Sequence, residues 1–400
     1  MRPEILAPAG DQEMLSAAIA AGADAVYFGV RGLNMRANSR SFEQHEISSV
    51  VEQCHASGVK AYLTLNTIIY EHEIPMVKDI LRIAKDARVD ALICWDHSVI
   101  SLAHEYGLEI HVSTQASISN SLSAEFYKSI GASRCVLARE VTLEELKELR
   151  TRSDIQVEVF AHGAMCVSVS GRCFMSEQIY GKSANRGECI QPCRRSYDIQ
   201  DPETDEVLRI EDNYVLSPKD LCILPFLEKV APYVDALKIE GRGRSPEYVK
   251  VVTEVYREAL DLITEGSLTE ERRSALLERL RTVYNRDFSS GFYMGRPIKE
   301  FTDSYGSKAT RKKVYVGYVK NFYRTPMAAE IVIEARGITK GEQTLIIGPT
   351  TGVLEQEADS IMIEDSQVDT ASKGQNVALK TDQIVRKNDK VYVWENMAEN

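Results

Sequence analysis

The chain has 400 residues and a formal net charge of −11, enough length for two or three domains with a sizeable core. That acidity excludes nucleic-acid affinity spread over the whole surface, since phosphate contacts need concentrated Lys and Arg, and leaves room only for local basic patches. No apolar run approaches the roughly 18–20 residues that span a bilayer, and MRPEILAPAG reads as strand and turn rather than targeting signal, so a soluble, cytoplasmic protein is expected.

Over the first 160 residues, short apolar runs alternate with amphipathic helical segments. The runs predict strands at Glu4–Ala7, Ala25–Val30, Lys60–Asn66, Ala91–Asp96, Glu109–Gln115, Arg134–Glu140 and Gln156–His162. Between them lie helical patterns such as DQEMLSAAIAAGA and EIPMVKDILRIAKDAR, and Thr142 with Glu145 forms a capping box for TLEELKELR. An eighth strand, Asp235–Glu240, arrives after a cysteine-rich stretch and precedes a helix over Pro246–Glu265 with Ser245 as its N-cap. Eight strands with helical crossovers predict a TIM-like (β/α)8 barrel rather than an open doubly wound sheet, and no G-x-G-x-x-G follows any strand. The barrel is expected over 1–265, with a Cys-rich insertion over 163–234 after the seventh strand. A helical and loop-like extension follows over 266–311. From 312 to 400 the period changes to two, predicting strands at Lys313–Val319, Ala329–Ala335, Gln343–Ile347, Asp359–Glu364, Asn376–Lys380 and Lys390–Trp394. These make a small all-β barrel, a kind of module that more often binds than catalyses.

Four of the cysteines, Cys166, Cys173, Cys189 and Cys193, are spaced C-x6-C-x15-C-x3-C within the insertion. Four thiolates suit a tetrahedral zinc or a cubane iron–sulfur cluster, because both prefer soft sulfur donors. The spacing lacks the paired C-x2-C knuckles of a zinc ribbon and favours iron–sulfur. Disulfides are disfavoured in a reducing cytosol. Cys54, Cys94 and Cys135 lie in apolar elements and read as core, while Cys222 is either core or a replacement for Cys193 as fourth ligand.

In such a barrel the C-terminal strand ends point into the mouth, where barrel enzymes build their sites. There stand Asn66, Asp96, Gln115, Arg139, Glu140, His162, Lys238, Glu240 and Arg242. His162, Lys238 and Glu240 are the candidates for acid–base work, and Asn66 and Gln115 for holding substrate. The loop RGLNMRANSRSF brings Arg31, Arg36 and Arg40 to the same end, a pattern fit for an anionic ligand. Arg172, Lys182, Arg186, Arg194 and Arg195 surround the cysteines and suit RNA phosphates, an acidic small molecule or the charge of a thiolate cluster. Protease chemistry has little support: H-E-x-x-H and G-x-S-x-G are absent, and a Cys166–His162 pair rests on spacing alone.

The residues Glu158, Phe160, Gly163, Ala164, Met165, Cys166, Gly171, Cys173, Met175 and Ser176 match E-x-F-x2-G-[SA]-[LIVM]-C-x4-G-x-C-x-[LIVM]-S. That pattern resembles the signature of peptidase family U32, the collagenase-like family. ILAPAG, AGADAVYFGV, KIEGR and YNRDFSSGFY are similar to the same family, so the resemblance spans essentially the whole chain. It implies two activities. One is proteolysis, as the family name says. The other is O2-independent hydroxylation of RNA or of ubiquinone precursors with a [4Fe–4S] cluster. NRGECIQPCRRSY resembles the branch that uses prephenate to make 5-hydroxyuridine at the tRNA wobble position. The resemblance implies Cys166, Cys173, Cys189 and Cys193 as cluster ligands, and Arg36 and Arg242 as holders of the prephenate carboxylates. It also implies tRNA as partner and allows a homologous subunit, with this chain then a non-catalytic, cluster-bearing component. The segment between Cys193 and the eighth strand is shorter here than in some RNA-hydroxylating members.

Overall fold

The computed structural model describes residues 2–36, 40–208, 216–298 and 300–397. Eight parallel strands close on themselves: β1 (Glu4–Ala9), β2 (Ala25–Gly29), β3 (Lys60–Leu65), β4 (Ala91–Cys94), β5 (Ile110–Val112), β6 (Ala132–Val136), β7 (Gln156–Gly163) and β8 (Ala236–Ile239). Each pairs with the next, and β8 pairs with both β7 and β1, which closes the barrel. Buried on both faces, these strands are near-continuous apolar runs, as parallel strands under helices must be. The (β/α)8 expectation therefore holds.

Several strands end earlier than their apolar runs, because the next residues serve the turn. Asp96 is not a strand end: it caps the following helix by accepting from the Ser98 N–H at 2.9 Å. Thr114–Ala116 forms a single 3-10 turn after β5. The Thr142–Glu145 capping box forms as expected. Ser245 has the extended backbone of an N-cap, with Pro246 next, but its hydroxyl makes no capping bond.

Between β7 and β8 the insertion builds a short helix, Met175–Tyr180, single turns at Ala184–Arg186 and Pro192–Arg194, and a strand, Asp220–Cys222. That strand runs antiparallel to β7, pairing Cys222 with His162, and Phe288–Ser289 extends the ladder.

The C-terminal region forms one eight-stranded antiparallel sheet around its own apolar core. Two of its strands, Gly352–Glu357 and Ser366–Val368, carry no alternation legible in the sequence. In the first, Leu354 enters the sheet core while Val353 packs on Ala17 of the barrel, so neither face is polar where it starts. The sheet docks on the first barrel helix, Gln12–Ala20, where the Ser16 hydroxyl donates to the Pro349 carbonyl at 2.5 Å. No helix among the described residues is long and apolar enough to cross a membrane.

Candidate functional site

The mouth of the barrel holds a cavity of about 400 Å³, lined from one side by strand ends and from the other by the insertion. Cys166, Cys173, Cys189 and Cys193 all line it, together with Arg36, Asn66, Gln115, Lys238, Glu240 and Arg242. Arg139 joins them, while Asp96, Glu140, His162 and Cys222 do not line it.

The floor is built by alternation along β7 and β8, which turns Glu158, Phe160, Lys238 and Glu240 inward. Lys238 donates to Glu158 at 2.7 Å, its ammonium 4.5 Å from the centre of the Tyr27 ring. Glu158 also meets Arg134 at 3.5 Å, and Arg134 reaches Glu4 at 3.0 Å, so an ion chain descends the barrel axis. Burial lowers the Lys238 pKa, and Glu158 opposes that shift. Arg242 donates to the Thr64 hydroxyl at 2.7 Å, and burial depresses it to about 10. Gly29 makes this possible: a Cβ there would stand 2.5 Å from the Arg242 guanidinium.

Glu240 carries the charge balance of the cavity. Burial works to raise its pKa, but Arg36, Arg139 and Arg242 outweigh it and hold the carboxyl at about 2. Arg36 donates to it at 2.5 Å. Arg139 lies 3.8 Å from the Phe160 ring centre and donates to the Ala164 carbonyl at 2.6 Å, with its buried Nε unpartnered among the described residues. Burial lowers its pKa. Among the described residues five arginines and Lys238 line the cavity with Glu240 as the carboxylate; Arg36, Arg139 and Arg242 are the three that act on it, and Lys238 is held by Glu158 below. The arrangement suits an anion. Beside them, Asn66, Ser113 and Gln115 form a polar corner in which Gln115 donates to the Asn66 carbonyl at 3.2 Å.

The insertion is pinned over this floor by its own arginines. Arg186 grips Glu73, and Arg194 donates to the Pro218 carbonyl at 2.5 Å and to the Met165 carbonyl. The Cys173 N–H donates to Asn185 at 2.9 Å. Arg194, expected as part of a cationic rim, lines the cavity but is buried, with its guanidinium spent on backbone carbonyls. Gly187 approaches the Asn34 carbonyl so closely that a Cβ would lie 2.2 Å from it, at a φ of +86°. Burial pushes the Cys189 and Cys193 thiols up, and the other thiols of the group add to that effect. Among the described residues no three His, Cys, Asp or Glu side chains stand as a ready metal site. The donor chemistry nonetheless fits a thiolate-bound group: among the described residues four thiols line one wall, no histidine lines the cavity, and the one acidic lining residue, Glu240, is already paired.

Two expectations are corrected, and the choice left open for Cys222 is resolved. His162 does not reach the cavity; it is buried among Tyr248, Tyr256 and Phe288, at ring distances of 6.1, 5.7 and 5.4 Å. The cause is a register shift in which Lys238 pairs with Phe160 but Ile239 pairs with His162, so Ala161 is skipped and the inward parity of β7 reverses. Burial holds the His162 imidazole at about 3, too low to serve as a base. Cys222, opposite His162, shares that outward side, its sulfur 3.8 Å from the Tyr256 hydroxyl and its thiol pushed up to about 11 by burial. It is core, as are Cys54, Cys94 and Cys135. Of the three loop arginines only Arg36 lines the cavity; Arg31 pairs with Glu43 at 3.1 Å and Arg40 with Asp11 at 3.0 Å on the surface. Tyr27 and Ser113 are lining residues that the sequence reading missed, though alternation on β2 marks Tyr27 as inward.

Fold and site together define a TIM-like barrel enzyme with a thiol-rich, cationic mouth. Residues 10–303 match the model of peptidase family U32, and the chain belongs to that family. It is 41% identical to a protein named "Collagenase" from Porphyromonas gingivalis, with 99% of each chain covered. It is 33% identical to "tRNA hydroxylation protein P1" from Bacillus subtilis, covering 92% of this chain and 89% of that one. A 23S rRNA 5-hydroxycytidine synthase of Escherichia coli is 37% identical over 66% of this chain and 40% of its own length.

Proposed function

We propose that this protein hydroxylates a pyrimidine of RNA without molecular oxygen, the uridine at the tRNA wobble position being the foremost candidate. In this reading Cys166, Cys173, Cys189 and Cys193 hold a [4Fe–4S] cluster, and prephenate is the co-substrate. The observation that carries it is the convergence of four thiols and an uncompensated cationic floor on one cavity, in a chain whose relatives include RNA hydroxylation proteins. When bound, the cluster supplies electron-transfer chemistry beside the substrate. Arg242 and Arg139 pair with the carboxylates of the co-substrate, while Glu240 restrains Arg36 and limits the net charge. Lys238, its pKa lowered by burial with Glu158 opposing that shift, offers a proton donor at the floor. The Asn66–Ser113–Gln115 corner presents donors and acceptors to the edge of a base.

The test is iron and acid-labile sulfide per chain in anaerobically purified protein, combined with nucleoside mass spectrometry of RNA from cells lacking the gene. About four of each is expected for a cubane on four thiolates. Cys166→Ala should lose it, and Cys222→Ala should keep it. A fully active, colourless Cys166→Ala protein refutes the reading.

The similarity to a protein named a collagenase favours a second reading, a peptidase. Gelatin cleavage that survives rigorous purification and vanishes in a Cys166→Ala variant would support it. The absence of any histidine from the cavity lining leaves Cys166 without the usual base.

A further inference from the structure

One face of the C-terminal sheet carries rings and ammonium groups in alternation. Strands Arg311–Tyr323 and Lys390–Asn396 pair antiparallel, with Tyr315 opposite Tyr392 and Tyr318 opposite Lys390. Val316, Val319, Val391 and Val393 enter the apolar core, leaving Lys313, Tyr315, Tyr318, Lys390 and Tyr392 on the other side, where Tyr392 packs with Leu345, Ile347 and Val353 against Ala17 of the barrel while Tyr315, Tyr318 and Lys390 stand outside that cluster. There Lys313 stands 5.0 Å from the Tyr392 ring centre, and Tyr392 lies 5.6 Å from Tyr315. Lys390 lies 5.8 Å from Tyr315 and 5.6 Å from Tyr318. Lys390 is exposed and, among the described residues, pairs with no carboxylate. The Tyr315 hydroxyl is taken by Glu334 at 2.6 Å, so its ring is the part left to a ligand.

The run begins at the rim of the barrel mouth. Lys313 binds Glu247 at 2.9 Å, in the first turn of the helix that follows Arg242 and Arg244. The charges acting on Tyr392 are those of Glu247, Arg40 and Glu13, which belong to the loops and helix starts after β8, β2 and β1. A polymer whose one unit occupies the cavity can therefore lay its neighbouring units along this face. Rings offered beside ammonium groups suit single-stranded nucleic acid, whose bases stack on the rings while phosphates meet the cations.

We infer that Tyr315, Tyr318 and Lys390 on this face hold the single-stranded part of the RNA whose base enters the cavity, an inference that rests on the RNA reading above. Cross-strand packing alone also produces such contacts, so the test must separate binding from stability. Fluorescence anisotropy of the full chain with a labelled, unmodified RNA stem–loop is measured across a salt series, beside melting temperatures. Tyr318→Ala should weaken binding about tenfold, within the range for losing one stacked base, while Tyr318→Phe keeps wild-type affinity. Lys390→Ala should reduce the slope of log affinity against log salt by about 0.7, the value for one single-strand phosphate that is no longer neutralised. If ring variants misfold, Lys390→Glu on the exposed lysine decides, with at least tenfold weaker binding expected. Tight RNA binding that none of these changes alters overturns the inference and leaves the RNA reading standing. A wild-type chain that binds no RNA removes the RNA reading itself. A shift in sedimenting mass with unchanged RNA affinity assigns the face to a protein contact and also overturns the inference.

Discussion

Replacing Glu158 with Leu should destabilise the barrel more than any single change at the cavity surface. Glu158 is fully buried and bridges Lys238 at 2.7 Å and Arg134 at 3.5 Å. Arg134 keeps Glu4 at 3.0 Å when Glu158 is lost, so the stranded charge is the Lys238 ammonium. Breaking one side of a buried pair costs about 3–5 kcal/mol, because the remaining charge stays desolvated. At roughly 2–4 °C per kcal/mol for a domain of about this size, the melting temperature should fall by roughly 6–20 °C. The pH dependence has a definite sign. Burial lowers the Lys238 pKa, and Glu158 is the main group that opposes this, with Glu240 a lesser one, so in the variant it falls further below the unfolded value of about 10.4. The folded variant then binds fewer protons than its unfolded chain, and its stability rises with pH. The deficit measured by calorimetry at about pH 7 should therefore shrink by about pH 9.5. Pairing the change with Lys238→Met removes the stranded charge and should recover most of the loss, as apolar replacements of buried pairs do. A deficit below about 1 kcal/mol, or a double variant no better than the single one, would show that the ion chain is not what holds the floor.

Two further outcomes follow from the same geometry. His162 is held at about 3 by burial, against about 6.5 in an unfolded chain, so it withholds a proton from the fold and stability falls as pH drops below about 6.5. His162→Phe should flatten the melting-temperature profile between about pH 6.5 and 4 by up to one proton, or about 1.4 kcal/mol per pH unit, and an unchanged slope would count against the burial argument. Gly187→Ala forces a Cβ to within 2.2 Å of the Asn34 carbonyl in a left-handed conformation, at a cost on the order of 2 kcal/mol. It should lift the cysteine segment off the β2 loop and lower iron per chain, which metal analysis of anaerobically purified protein reads; wild-type iron content would contradict that docking role.

The sequence reading succeeded where a residue's side was set by an uninterrupted period. Lys238 on β8 and Glu240, the residue just past its end, stand two apart in ordinary alternation, and both reach the cavity. The four cysteines reach the same mouth because the insertion that carries them follows β7 at its C-terminal end. His162 was misread, and Cys222 left open between core and ligand, for a shared reason: the register shift opposite Lys238 and Ile239 turns β7 over between Phe160 and His162. The added strand Asp220–Cys222 then inherits that reversed parity through its pairing with His162. No local preference announces such a bulge, because it arises from fitting β7 against β8 while a further strand joins its end. The arginines of the insertion were misjudged in the same sense. Arg186 and Arg194 read as a cationic rim, yet each is spent on a partner distant in sequence, Glu73 and the Met165 and Pro218 carbonyls. What remains to meet an anion, among the described residues, is the set at the barrel's own mouth, Arg139, Arg242 and Arg244. The cavity's charge is thus a property of the closed sheet, and the insertion's contribution is its sulfur.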